Sequence, residues 1–142
     1  MPPVNDYKCN KCGYSLPSGW GGYMYVIDNS GKRIVCPHPG EMWTVFKVLG
    51  ENASEEIIKA RTGFNSYCVC LTCLHQFELD IGDDEKADRS WRYYYGATMR
   101  RDERRCPHCK SPNVKTVSEL IGEPCPKCKE GTIIEIETGI IT

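Results

Sequence analysis

The spacing of apolar residues predicts short β-strands in several parts of the chain. Tyr23, Tyr25 and Ile27 alternate with their neighbours, and the turn residues "DNSG" follow at 28–31, which together predict a β-hairpin. The segment before it, "PSGWGGYMY", sets Trp20 among glycines. It indicates either the lead-in to this hairpin or an exposed aromatic loop for a partner. The same alternation predicts strands at 75–81 and 132–142.

Helical spacing and capping residues give three candidate segments for the short helices. Apolar positions in "EMWTVFKVLG" (41–50) fit a helical stripe with Gly50 as a stop, although the same letters also fit a strand. "SEEIIKARTG" predicts a helix that Ser54 caps and Gly63 ends. "DDEKADRSWRYYYG" (83–96) predicts a third, amphipathic helix.

Composition leaves little material for a core. The chain has 142 residues and 40% hydrophobic content, and this fraction includes ten cysteines. Small domains with little apolar content usually need staples such as disulfides or metal ions. The cysteines are therefore the expected source of stability.

Eight of the ten cysteines form Cys-x-x-Cys pairs, whose spacing places two thiolates on one turn, where a single metal can accept both. The first residues lack the features of a signal peptide, and no apolar run approaches the ~20 residues that cross a bilayer. We therefore expect a cytoplasmic protein without membrane contact, in which the thiols stay reduced and bind metal. Zinc is the first candidate because structural zinc sites are closed and thiolate-rich.

The spacing leaves the combination of pairs into sites open. In one scheme Cys106/Cys109 joins Cys125/Cys128. In another, Cys70/Cys73 joins Cys106/Cys109, and Cys125/Cys128 closes with Cys9/Cys12 or with loose ligands. Cys9/Cys12 otherwise has Cys36 as its nearest partner and His38 as a fourth ligand, with Pro39 where a cysteine is expected. We expect two to three ions and these ligands: Cys9, Cys12, Cys36, His38, Cys70, Cys73, Cys106, Cys109, Cys125 and Cys128.

Three segments resemble the zinc-ribbon superfamily: "YKCNKCGY", "RRCPHCKSPNVKTV" and "CLTCLHQFEL", the last with Leu74 where the family often has Gly. The resemblance covers about half the chain and implies a Cys turn followed by a strand. "CGY" after Cys12 also resembles the first turn of rubredoxin, which implies iron. We therefore expect a small metal-stabilised α+β fold of two or three zinc-ribbon-like β units with one or two short helices. The expected units are 1–66 and 67–142.

The expected function is a non-enzymatic binding or adaptor module with a protein partner. The alternative is a nucleic-acid-associated protein, because the segment 91–105 combines aromatic and cationic residues, although a net charge of −1 argues against charge-driven binding. A competing interpretation is a helix that closes the core, with arginines near acids. The residues in question are Trp91, Arg92, Tyr93, Arg100, Arg101, Arg104 and Arg105.

Catalysis has little support in the sequence, and an iron redox protein is a further alternative. An open metal site would lie at the irregular set of Cys9, Cys12, Cys36 and His38. Cys68 indicates either a small buried residue or a reactive thiol or ligand. His75 and His108 indicate either surface positions or ligands.

Overall fold

The computed structural model describes residues 3–85 and 100–141. The helix predicted at 83–96 lies mostly outside these ranges, as do Trp91, Arg92 and Tyr93. The described residues form eight strands: β1 Pro3–Cys9, β2 Ser15–Gly19, β3 Gly22–Ile27, β4 Arg33–Val35, β5 Thr62–Cys70, β6 Gln76–Leu79, β7 Val114–Thr116 and β8 Ile133–Ile141. They also form three α-helices: α1 Glu41–Leu49, α2 Glu55–Arg61 and α3 Val117–Leu120.

The strand pairings among the described residues are all antiparallel and build two sheets, so the predicted α+β class is confirmed. The first sheet has the order β2-β1-β8. The second has the order β4-β3-β5-β6, and β7 pairs with the end of β5. A buried apolar cluster joins the first sheet to β5 and α3. A second cluster packs α1 and α2 against β3.

The predicted hairpin and the first two helices are confirmed. β3 and β4 pair around the "DNSG" turn. Residues 41–49 form a helix, and the N–H of Gly50 donates to the carbonyl of Phe46 at its end. Ser54 caps α2 by accepting from the N–H of Ile57. The predicted stop at Gly63 is wrong, because α2 ends at Arg61 and the chain continues directly into β5.

Helix α3 lies in a segment where the sequence analysis predicted no helix. Thr116 and Glu119 form a capping box, in which each side chain accepts from the backbone N–H of the other. The T-x-x-E spacing of "TVSE" is the local signal for such a helix start. The predicted division at residue 66 falls inside β5, and β1 pairs with β8. Which segments fold on their own stays a prediction.

A buried network of charges holds the second sheet to the segment that starts at residue 100. Asp80 is 1% exposed and accepts a hydrogen bond from the hydroxyl of Tyr25. The guanidinium of Arg101 lies 3.4 Å from the same carboxylate and also donates to Tyr25 and to the carbonyls of Thr62 and Ala60. Burial raises the pKa of Asp80, and the nearby guanidinium opposes that rise.

A second ion pair continues this network towards solvent. Arg33 donates two hydrogen bonds, of 2.8 and 2.9 Å, to the carboxylate of Asp102. Burial by itself would raise the pKa of Asp102. The contacts with Arg33 and the backbone N–H of Asp80 outweigh burial, so the pKa lies below its ordinary value.

No helix among the described residues is both long enough and apolar enough to span a bilayer.

We expect Arg101→Ala to lower the free energy of unfolding by about 3 kcal/mol, because it leaves the carboxylate of Asp80 buried without its cation. Urea denaturation followed by circular dichroism measures this change. The matched control is Arg100→Ala. Arg100 is exposed and, among the described residues, donates to the backbone carbonyl of Asp102 alone, so the expected change is within about 0.5 kcal/mol. Equal effects of the two substitutions would contradict the structural role of the buried pair.

Candidate metal centres

The four Cys-x-x-Cys turns share one backbone geometry. In each turn the N–H of the residue after the second cysteine donates to the carbonyl of the first cysteine. The donor and acceptor pairs are Gly13 to Cys9, Leu74 to Cys70, Lys110 to Cys106 and Lys129 to Cys125, at 2.8 to 3.3 Å. The donor residue is left-handed in all four turns, with φ between 63° and 76°. In the first turn this position is a glycine, Gly13, which adopts the conformation without steric cost. The other three turns adopt it with a side chain present.

The terminal tetrad, Cys9, Cys12, Cys125 and Cys128, joins the two ends of the described chain. Cys9 ends β1, and the turn that carries Cys125 and Cys128 leads into β8. Because β1 and β8 pair with Cys9 opposite Ile133, the two turns face each other. The Sγ atoms of Cys9 and Cys128 are 3.6 Å apart, and those of Cys12 and Cys125 are 3.7 Å apart.

The central tetrad, Cys70, Cys73, Cys106 and Cys109, repeats this arrangement within the second sheet. Cys70 ends β5 and pairs with Val114 of β7, the strand that follows Cys106 and Cys109. The Sγ atoms of Cys70 and Cys109 are 3.5 Å apart, and those of Cys73 and Cys106 are 3.6 Å apart. The structure therefore has the second of the two pairing schemes.

The sulfur geometry suits a metal ion and not a disulfide. Within each tetrad all four Sγ atoms lie within 4.8 Å of one another. Four thiolates at ~2.3 Å from a tetrahedral ion have sulfur-to-sulfur edges of ~3.8 Å, close to the observed separations. A disulfide would need ~2.05 Å. All ten cysteines are free thiols in the structure.

In each tetrad, backbone N–H groups stabilise the thiolate form of the first cysteine in the chain, which is Cys9 or Cys70. Burial opposes ionisation of Cys9, but the N–H groups of Lys11 and Cys12 point at its sulfur from 3.3 and 3.4 Å. With the neighbouring thiols they lower the pKa of Cys9 to about 6. In the central tetrad burial is again opposed by backbone N–H groups, and the pKa of Cys70 falls to about 6.

The second cysteine of each of these turns behaves in the opposite way. A backbone N–H lowers the pKa of Cys12, but burial and the contacts with the other three sulfurs outweigh it and raise the pKa to about 11. The same balance raises the pKa of Cys73 to about 12. Four thiols this close cannot all ionise without a compensating cation. Each tetrad is therefore suited to a dication.

Cys36 and His38 lie away from Cys9 and Cys12, which corrects the predicted grouping. Cys36 is 2% exposed and packs with Met24 and Val45 beneath α1. Burial, followed by the charge of Glu41, raises the pKa of Cys36 to about 11. The physical reason is the β3–β4 hairpin, which carries Cys36 into the apolar layer, while the pairing of β1 with β8 brings Cys125 and Cys128 to the terminal site. Within the described residues neither Cys36 nor His38 belongs to a cluster that could hold a metal.

The remaining sequence candidates stand outside both tetrads. Cys68 is 1% exposed, and burial and then Glu85 raise its pKa to about 12, which fits the interpretation as a small buried residue. The rings of His75 and His108 contact each other beside the central tetrad, 5.5 Å apart.

Two of the four arginines at 100–105, the described part of the candidate nucleic-acid-binding region, donate inside the fold. Arg101 belongs to the buried network above. Arg104 is 18% exposed and binds the carboxylates of Asp84 and Glu119 at 2.6 to 3.0 Å. Arg100 and Arg105 are exposed. Nucleic-acid binding through this region stays a prediction.

Gly131 is a site residue that the sequence analysis missed. A Cβ at this position would collide with the Sγ of Cys9 and with the side chain of Lys11. Its own N–H donates to the Sγ of Cys128 at 3.3 Å. The one signal in the sequence is a glycine three residues after the last cysteine, in "CKEG". At this position the second turn of the terminal tetrad packs directly against the first.

Comparison with protein-family models, curated proteins and solved structures finds no match to this chain. The likeness to zinc ribbons therefore rests on the two tetrads and their shared turn geometry.

The left-handed turn position can be tested with substitutions of opposite sign. We expect Gly13→Ala to lower the free energy of unfolding by about 1 kcal/mol. A Cβ there has open space, so the cost is purely conformational. Lys129 is exposed and has φ 63°, so Lys129→Gly should stabilise by up to about 1 kcal/mol. Urea denaturation at fixed metal content measures both. A loss of stability in Lys129→Gly would show that the strain is absent.

Proposed function

We propose that each tetrad holds one Zn²⁺ ion and that the chain is a zinc-stabilised binding module without catalytic activity. The observation that carries the proposal is the presence of two separate groups of four sulfurs with tetrahedral spacing. Each ion would be bound by two turns from distant segments. Structural zinc contributes on the order of 10 kcal/mol of apparent binding energy, which is folding energy where no site exists in the unfolded chain.

Zinc is preferred to iron on chemical grounds. Thiolates bind Zn²⁺ more tightly than Fe²⁺, and four cysteines at tetrahedral spacing are the usual ligands of structural zinc. An iron centre of the rubredoxin type would use the same four sulfurs. The visible colour of the purified protein separates these two metals.

A structural role follows from the ligand count. A catalytic zinc keeps one position open for water or substrate, whereas four cysteine ligands close the coordination sphere. The two cysteines outside the tetrads are buried and have raised pKa values, so they are poor nucleophiles. These features support a role in binding and not in catalysis, and we propose a protein as the partner.

We expect two zinc ions per chain, measured by elemental analysis of the purified protein. Cys12→Ser should lose one ion and Cys73→Ser the other, since both side chains are at the surface and their loss opens no core cavity. Cys36→Ala and Cys68→Ala are the controls, and both should keep two ions. Substitution with Co²⁺ should give the absorption bands of tetrahedral thiolate coordination.

Several outcomes would contradict this proposal. A metal-free chain that keeps its fold in strong chelator would remove the structural role. A red protein with one or two iron atoms would identify a different metal. Loss of an ion in Cys36→Ala would return Cys36 to the ligand set.

Gly131→Ala tests the terminal site without removing a ligand. We expect its added methyl group to push against Cys9 and to weaken zinc binding at the terminal tetrad at least tenfold, with the central tetrad unchanged. Competition with a chromophoric chelator measures the two affinities. The control is Lys127→Ala, an exposed position in the same turn, which should leave both affinities unchanged. Equal zinc release from the two variants would show that close packing at Gly131 is unimportant.

A further inference from the structure

A small aromatic pocket lies between β3, β5 and the start of α1, apart from both tetrads. Its volume is about 260 Å³. Its lining includes three aromatic residues and an ion-pairing group that could recognise a ligand: Trp20, Tyr23 and Tyr67, with His38 and Glu41. The three aromatic residues are half-buried, as expected of side chains that line a recess open to solvent.

The backbone holds the aromatic residues in place. The N–H of Tyr67 donates to the carbonyl of Gly21 at 2.8 Å, which ties the loop of Trp20 to β5. Gly22 is needed at this junction because a Cβ there would collide with the carbonyl of Asn65 and the ring of Phe64. The rings of Tyr23 and Tyr67 contact each other edge to face, 5.9 Å apart.

The other wall of the pocket carries the carboxylate of Glu41. The indole of Trp20 packs edge-on against the imidazole of His38, with 4.7 Å between ring centroids. Nδ1 of His38 lies 2.8 and 2.9 Å from the two carboxylate oxygens of Glu41. No lysine or arginine is among the described residues that line the pocket. Aromatic rings together with a carboxylate favour an organic cation.

The size of the pocket and its hydrogen bonding narrow the class of cation. Pockets for drug-sized ligands begin near ~300 Å³, so this one suits a single side chain. Both oxygens of Glu41 are already engaged with His38. A guanidinium or a primary ammonium would enter with several N–H donors and lose strong hydration. A methylated ammonium carries few or no donors and is recognised chiefly through aromatic rings.

We propose that this pocket binds the methylated ammonium group of a lysine side chain in a partner protein. The inference deepens the proposed function, on which it rests, by naming the chemistry of the partner.

The test is a titration of the 142-residue chain, followed by NMR of the tryptophan indole N–H signals and by calorimetry. The probes are N-acetyl-trimethyllysine amide and its neutral isostere, in which a tert-butyl group replaces the trimethylammonium. We expect trimethyllysine to bind roughly 5- to 30-fold more tightly than the isostere, as a cation–π contribution of about 1–2 kcal/mol requires. Equal binding of the two probes would overturn the proposal, as would no saturable binding of trimethyllysine at millimolar concentrations.

Variants locate the binding site on the protein. Trp20→Ala should weaken trimethyllysine binding at least fivefold. Trp43→Ala is the control, because Trp43 is 70% exposed on α1 and does not line the pocket. Glu41→Gln keeps the shape of the side chain and should weaken binding severalfold through loss of charge. Equal losses in the two tryptophan variants, or full affinity in Glu41→Gln, would contradict this location.

A further titration with free choline distinguishes a partner protein from a small molecule as the source of the ligand. We expect choline to bind more weakly than trimethyllysine because it lacks the lysine stem, and tighter choline binding would overturn a partner protein as the source. Zinc content is measured on the same samples. If the protein contains zinc but does not bind trimethyllysine, the proposal for the pocket is wrong and the zinc sites stand. A metal-free protein that binds trimethyllysine overturns the zinc sites and leaves the pocket standing.

Discussion

The convergence of four sulfur atoms from two distant turns is the constraint on which the rest of the structure depends. In each tetrad one turn ends a strand and the other precedes the antiparallel partner of that strand. Strand register therefore decides whether the sulfurs meet. A shift of one residue between β1 and β8 would move Cys9 away from its place opposite Ile133 and turn its side chain to the other face. The sheets and the tetrads thus specify each other.

The two tetrads are nested, yet the longer closure costs little more. The terminal tetrad encloses 112 residues, from 13 to 124, and the central tetrad encloses 32, from 74 to 105. Because loop-closure entropy grows only with the logarithm of length, this difference amounts to about 1 kcal/mol. One bound metal supplies roughly ten times that. A metal ion at the terminal tetrad would therefore more than offset the additional entropy cost of the longer loop, and it would add to the apolar cluster that already packs against β1 and β8.

Local features of the structure could be predicted from the sequence because a few neighbouring residues determine them. The Cys-x-x-Cys turns, the β3–β4 hairpin and the cap at Ser54 belong to this class. The partners of each turn could not be predicted, since any two such pairs can complete a tetrad and long-range strand pairing makes the choice. The grouping of Cys36 with Cys9 and Cys12 was wrong for the same reason. The residues next to Cys36 resemble one metal-binding turn, whereas the β3–β4 hairpin buries Cys36 under α1. The burial of Asp80 with Arg101 likewise needs tertiary structure to be seen.

Strand β5 contacts the buried charge network, the aromatic pocket and the central tetrad. Gly63 leaves room for the Tyr25, Asp80 and Arg101 network, since a Cβ there would collide with all three. Tyr67, four residues further on, lines the aromatic pocket, and Cys70 ends the strand in the central tetrad. Because β5 pairs with β3, β6 and β7, a metal ion at Cys70 would restrain the strand that positions Tyr67. We therefore expect metal binding at the central tetrad to stabilise the shape of the pocket through the backbone, even though no ligand sulfur lines the pocket among the described residues.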